Sequence, residues 1–266
     1  MRDFLRSYRA LLGANWAIAL EYRAQAVIWL LSFIFPLVMM VVWLAVVDEV
    51  GPAAGWDKSD FISYYVAGLL VNYLTLSWIV WDWDEDIRTG NFSFKLLKPL
   101  DPFHHYLSNS LGWKLFILAV MGPPLAILVW LSPQVTLPGL PSHGLAAVLA
   151  IITGFAVNLL MNAAVAMVAF WSTQAGNLGG LLAGIGQFLS GFIAPLPLFP
   201  AGIQQVARLL PFRGTFGLPI EIMLGRLSGP EIAFGVAVNL AWIAIFLGIY
   251  RTLWRLGLRR YEAVGA

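Results

Sequence analysis

The residues able to do chemistry collect in one internal stretch, WDWDEDIRTGNFSFKLLKPLDPFHHY, from Trp81 to Tyr106. Asp82, Asp84, Glu85 and Asp86 come first, then Arg88, Lys95 and Lys98, with Pro99 and Pro102 closing the stretch. The alternate carboxylates at Asp82, Asp84 and Asp86 partly match a calcium loop. The match fails at its deciding positions, where Ile87 replaces the sixth-position glycine and Ser93 the twelfth-position glutamate. His104 and His105 are adjacent and lack a third ligand, so they do not form a metal centre. Ser190, in the sequence LSGF, has the small-residue setting of an intramembrane nucleophile. A serine needs a base, and the only histidines, His104, His105 and His143, all fall in expected loops. No G-x-x-x-x-G-K-[ST] motif occurs, so the chain has no phosphate-binding loop of that kind. Cysteine is absent, which removes disulfides and thiolate chemistry. Recognition is what remains. Ile87, Phe92, Phe94, Leu96 and Leu97 interleave with the charges, and a loop that only had to stay in water has no use for them. Gly90 permits a turn between the two halves.

The elements that carry this stretch are apolar. Hydrophobic residues make up 60% of the 266 residues and charged residues 11%, against about 25% charged in a soluble domain. Mean hydropathy is +0.79. Such a chain cannot cover itself with polar surface, so its solvent is the lipid bilayer. The basic residues fall at the ends of apolar runs, which fits membrane orientation and gives no sign of nucleic-acid binding.

In chain order, residues 2–23 predict an amphipathic interfacial helix, with Arg2, Arg6 and Arg9 off the apolar face. The alternative is a signal peptide, against which the periodic rather than continuous apolar positions and the lack of a following small-residue cleavage site argue. Six spans are expected, at about 25–47 (kinked at Pro36), 61–81, 115–131 (interrupted by Pro123 and Pro124), 145–171, 178–198 and 232–250. Residues 199–230, broken by Pro200, Pro211, Pro219 and Pro230, read as two short helices dipping into or lying on the membrane. The fold class is therefore an all-α membrane protein with six transmembrane helices, forming one domain over residues 1–266. Under that topology twelve lysines and arginines share the side holding both termini and the 82–106 loop. Only Lys58, Arg208, Arg213 and Arg226 lie on the other. The positive-inside rule puts both termini and the loop in the cytoplasm, in a multi-pass protein of the cell inner membrane.

No acid, base or histidine falls in the middle of these spans, which argues against a proton- or ion-driven carrier. The polar residues inside them are amides: Asn72, Asn158, Asn162, Gln187 and Asn239. Asn158 and Asn162 share a helix face. Two roles stay open for the five, helix–helix hydrogen bonding or the lining of a substrate path. Gly180 and Gly184 give small-xxx-small spacing, suited to close helix approach within the subunit or between copies. Tryptophans near span ends, among them Trp56, Trp78, Trp81, Trp83 and Trp113, are expected as headgroup-layer anchors.

The layout resembles the permease subunits of type-2 ABC exporters. An acidic-basic segment runs into a glycine, Glu85-Asp86-Ile87-Arg88-Thr89-Gly90. A stretch ending in Leu-Leu-x-Pro follows, Phe94-Lys95-Leu96-Leu97-Lys98-Pro99, where the family pattern is Leu-Leu-x-x-Pro. The broken segment 196–225 is similar to the family's outer re-entrant hairpin. The resemblance implies that residues 82–106 hold a coupling helix for a separate cytosolic ATPase, present in two copies. Asp84, Glu85, Asp86, Ile87, Arg88, Gly90, Phe92, Phe94, Leu96, Leu97, Lys98 and Pro99 would form the contact. ATP and magnesium would sit on that partner, with no cofactor on this chain and no catalytic or metal residue of its own. A second permease, identical or related, would complete the pore, and export of a lipid-like, drug-like or glycan cargo is implied. A non-transport membrane scaffold and a passive channel remain the alternatives, separable by ATPase association.

Overall fold

The computed structural model describes residues 2–21, 34–172 and 174–261, and within them the chain is helical. Two long helices, α1 (Arg2–Glu21) and α2 (Ile34–Val50), come first. They are followed by α3 (Lys58–Thr75), α4 (Ile79–Thr89), α5 (Asn91–Leu96) and α6 (Pro102–Leu131). The second half holds α7 (Leu140–Ala166), extended by a 3-10 turn at Met167–Phe170, and α8 (Ala175–Leu189). Three short helices, α9 (Ala201–Leu209), α10 (Pro211–Thr215) and α11 (Gly217–Met223), lead to α12 (Gly229–Leu258).

The sequence sets several of these starts. Asp57 and Asp60 form a reciprocal capping box at α3, the side chain of each accepting the backbone N–H of the other. Ser228 and Glu231 do the same at α12. Asp101 accepts the N–H of Phe103 at 2.8 Å, and Pro102 follows it at the first turn of α6.

Four helical stretches among the described residues are long and apolar enough to cross a membrane: Lys58–Thr89, Pro102–Leu131, Leu140–Phe170 and Gly229–Leu258. They correspond to four of the six expected spans, at 61–81, 115–131, 145–171 (ending at Phe170) and 232–250. The expectation at 25–47 lies partly outside the described residues, and its remainder is the 17-residue α2. That at 178–198 is a 15-residue helix followed by turns, short of the about 20 residues a crossing needs. Pro123 and Pro124 do not interrupt the 30-residue α6. In lipid, an unbroken helix still satisfies more backbone groups than any irregular path. Residues 199–230 hold three short helices, not two, and α10 and α11 are almost wholly buried.

Helix α7 is the centre of the bundle, touching α3, α4, α8, α10, α11 and α12. Small residues let it do so. A Cβ on Gly154 would lie 2.3 Å from the carbonyl oxygen of Gly214 in α10. One on Gly214 would lie 1.8 Å from Asn239 Oδ1 in α12. Asn239 in turn donates to Thr153 Oγ1 at 3.0 Å. Three helices therefore meet where only backbone and one amide fit. Two larger cores flank this point. One holds Trp56, Phe61, Tyr64, Phe216 and Ile220, the other Val80, Trp83, Phe92, Tyr106 and Phe170. Trp56 and Trp83 are thus interior packing residues, not headgroup anchors, because their rings fill space between helices.

Candidate functional site

The stretch expected as a loop over 82–106 is mostly helical. It comprises the end of α4, all of α5 and the first turn of α6. Gly90, at φ 79°, closes α4 and opens α5, a left-handed conformation that glycine adopts at no steric cost. Val80, Trp83 and Ile87 recur at three- and four-residue steps, so one face of α4 turns inward. Trp83 stacks on Tyr106 with ring centroids 4.3 Å apart. Tyr106 donates its hydroxyl proton to Asp86 at 2.6 Å. Lys95 forms an ion pair with the same carboxylate, and its ammonium lies 4.1 Å from the Tyr106 ring centroid. Ser93 and the Tyr261 hydroxyl are 2.9 Å apart, tying α5 to the end of the chain.

This corrects the expectation that five apolar side chains face outward. Ile87 and Phe92 fill the core, and Asp86 is held by Lys95 and Tyr106. Asp84 is half-buried. Glu85, Arg88, Lys98 and Pro99 are exposed, as are Phe94 (67%), Leu96 and Leu97 (84%). The expected contact residues thus divide into an inner set that fixes α4 to α5 and an outer set that forms a surface.

A second arrangement lies at the other end of α4. Helix α3 stops at Thr75 and α4 begins at Ile79; the Leu76 N–H still donates to the Asn72 carbonyl at 2.9 Å, and the ladder is interrupted around Ser77. Side chains from neighbouring helices satisfy groups freed there. Asn158 Oδ1 accepts the N–H of Ser77 at 2.8 Å. Lys114 donates to the carbonyl of Tyr73 at 2.9 Å and to that of Leu76. Lys114 is 8% exposed, and its ammonium lies 4.7 Å from the Phe155 ring centroid. Lys114 Nζ thus answers carbonyls at the C-terminal, negative end of α3, and among the described residues no carboxylate makes an ion pair with it. The sequence reading set Lys114 at the mouth of a span beginning at 115. The structure instead places it well inside α6. Thr75 Oγ1 donates to the Thr215 carbonyl at 2.6 Å, linking the break to α10.

The break forms one wall of a cavity of about 370 Å³. Asn72, Asn158, Asn162 and Gln187 reach its lining, together with Trp78 and Trp81. Four of the five amides singled out in the sequence therefore converge. Asn239, 1% exposed, stays at the α7–α10–α12 contact. Among the described residues, no Asp, Glu, Lys, Arg or His lines the cavity. Sequence reasoning missed Ser77 and Lys114. Neither belongs to a motif, and their roles depend on a helix break that hydropathy does not reveal. The inner set around Trp83 did carry a signal, the spacing of residues 80, 83 and 87.

The chain matches the sequence model of the ABC-2 family transporter proteins over residues 33–265. It belongs to that family. A search of curated proteins found none that matches. As an ABC-2 family member, the chain is a membrane permease without an ATPase motif of its own. Family membership implies pairing with an ABC ATPase and embedding in a membrane, in accord with the four long apolar helices.

Proposed function

We propose that this permease is one half of an ATP-driven exporter, powered by a separate cytosolic ABC ATPase that docks on the outer surface of residues 82–106. One observation carries this reading. Helix α4 runs unbroken from Trp81, at the cavity wall, to Glu85 and Arg88, which are exposed. Its 11 residues make a rod of about 16 Å. Push on its outer end and the cavity wall moves, with residues 76–78 as the hinge. Phe94, Leu96 and Leu97 supply the apolar contact, and Glu85, Arg88 and Lys98 the charged rim, a division usual at docking sites.

The rest of the reading follows from this arrangement. Two ATPase subunits bind ATP and magnesium, and their closure moves two permease halves, identical or related. The chain is a multi-pass protein of the cell inner membrane, with both termini cytoplasmic and α9–α11 as the outer re-entrant segment; the four long apolar helices support its crossings. The uncharged cavity suits a lipid-like, drug-like or glycan cargo better than an ionic one.

Affinity purification of the tagged chain from native membranes in mild detergent, followed by mass spectrometry, tests the reading. A co-purifying protein with a Walker A motif, lost with Leu97→Asp or Phe94→Asp, is the expected result. Its absence under several mild conditions would favour a scaffold. Nucleotide-independent conductance would favour a passive channel.

A further inference from the structure

The amides of the cavity are spent in an uneven way. Asn162 Nδ2 donates to the Asn158 carbonyl at 2.9 Å and to Asn158 Oδ1 at 3.1 Å. Asn158 Oδ1 also accepts from Ser77. Among the described residues this leaves Asn158 Nδ2 without an acceptor and Asn162 Oδ1 without a donor, although each residue is only 9% exposed. Ser77, 2% exposed, has a hydroxyl oxygen with no partner. All three residues line the same cavity. Of these atoms the Ser77 oxygen is both buried and unpartnered, which is costly, while the two amide atoms are left open one helical turn apart on the cavity wall; together they point to a ligand.

The geometry points to a binding site for the head of an uncharged, hydroxyl-bearing amphiphile, held by Ser77, Asn158 and Asn162 beside Trp78 and Trp81. A hydroxyl both donates and accepts, so it answers Asn158 Nδ2 and Asn162 Oδ1 together. A sulfate ester or a phosphodiester cannot donate to Asn162 Oδ1, and among the described residues no cation lines the cavity to meet it, the Lys114 ammonium behind Leu76 being engaged by the Tyr73 and Leu76 carbonyls. A quaternary ammonium can neither donate nor accept. The tryptophan rings offer flat apolar faces to the C–H side of a polyol ring. Phe192, Phe212 and Leu182 supply an apolar remainder for a tail. The volume falls within the range of about 300–1,000 Å³ usual for small-molecule sites.

The site deepens the permease reading and rests on it for the role of cargo, but its test does not depend on the ATPase. The full chain, reconstituted in lipid nanodiscs, is titrated by calorimetry with octyl glucoside, octyl sulfate and octyl trimethylammonium below their micelle concentrations. Protein-free nanodiscs provide the baseline. Saturable heat for the glucoside alone is the expected result. Ser77→Ala is expected to weaken glucoside binding about three- to tenfold and leave the melting temperature unchanged, since that hydroxyl bonds to nothing in the unliganded chain. Asn162→Leu should weaken it at least as much. The inference is overturned if the sulfate or the ammonium binds as tightly, if the glucoside gives no saturable heat, or if Ser77→Ala leaves its affinity intact. Failure to co-purify an ATPase would sink the coupling reading and leave this titration to decide the site.

Discussion

Asn158 Oδ1 holds the backbone N–H of Ser77 at 2.8 Å, across the break between α3 and α4. That bond and the one from Lys114 to the Tyr73 carbonyl act on opposite ends of the same interruption. A helix broken inside a membrane protein is stable only if its freed backbone groups find partners in protein. Asn158→Leu should therefore cost about 1–3 kcal/mol, read as a lower melting temperature in nanodiscs. Asn158→Gln should recover part of it.

Lys114→Met removes the donor from the exposed carbonyls of α3 and keeps the stem volume. We expect a loss of about 1–3 kcal/mol, whereas Lys58→Met should be near neutral. Lys58 pairs with Asp48 in an exposed bridge, and such pairs contribute about 0–1 kcal/mol. Thermal unfolding of the two variants side by side checks the contrast.

Arg213 and Glu221 form a buried ion pair 2.5 Å apart between α10 and α11. Arg213→Leu leaves the Glu221 carboxylate buried without its partner, at an expected cost of about 3–5 kcal/mol. The double variant Arg213→Leu, Glu221→Leu should regain most of it, because no lone charge remains. A double-mutant cycle in thermal stability decides the point, and equal losses in the single and double variants would contradict it.

Within residues 82–106, Asp86→Ala and Leu97→Asp should separate folding from docking. Asp86 accepts from Tyr106 and Lys95, so its loss should lower the melting temperature by several degrees. Leu97 is exposed, so Leu97→Asp should leave the melting temperature unchanged and abolish ATPase co-purification. Stability and pull-down measured on both variants test this division of labour.

Gly154→Ala should cost about 1–3 kcal/mol, because its Cβ would meet the Gly214 carbonyl oxygen, part of the backbone. Gly180→Ala and Gly184→Ala should be neutral or slightly stabilising in the subunit, where a Cβ at either site meets no described atom within 4 Å. The small-xxx-small pair of α8 therefore makes no close helix approach among the described residues. Melting curves of the three variants provide the check.

The sequence by itself determined the solvent, the class and the address of both sites. Low charge and long apolar runs require helices in lipid, since a backbone without water must bond to itself. The charges of 81–106 and the amides at 72, 158, 162 and 187 stand out against that apolar background, so both regions were legible. Capping residues such as Asp57, Asp101 and Ser228 fixed helix starts locally. Tertiary structure alone decided which members of each group face which way. Ile87 and Leu97 are both aliphatic, yet one is in the core and the other in solvent, because Gly90 redirects the chain between them. The break at 76–78 was invisible, since hydropathy runs through it without change. Its partners Lys114 and Asn158 lie 38 and 81 residues away. Such contacts depend on which helices pack together, and hydrophobic period constrains a helix's face but not its neighbour.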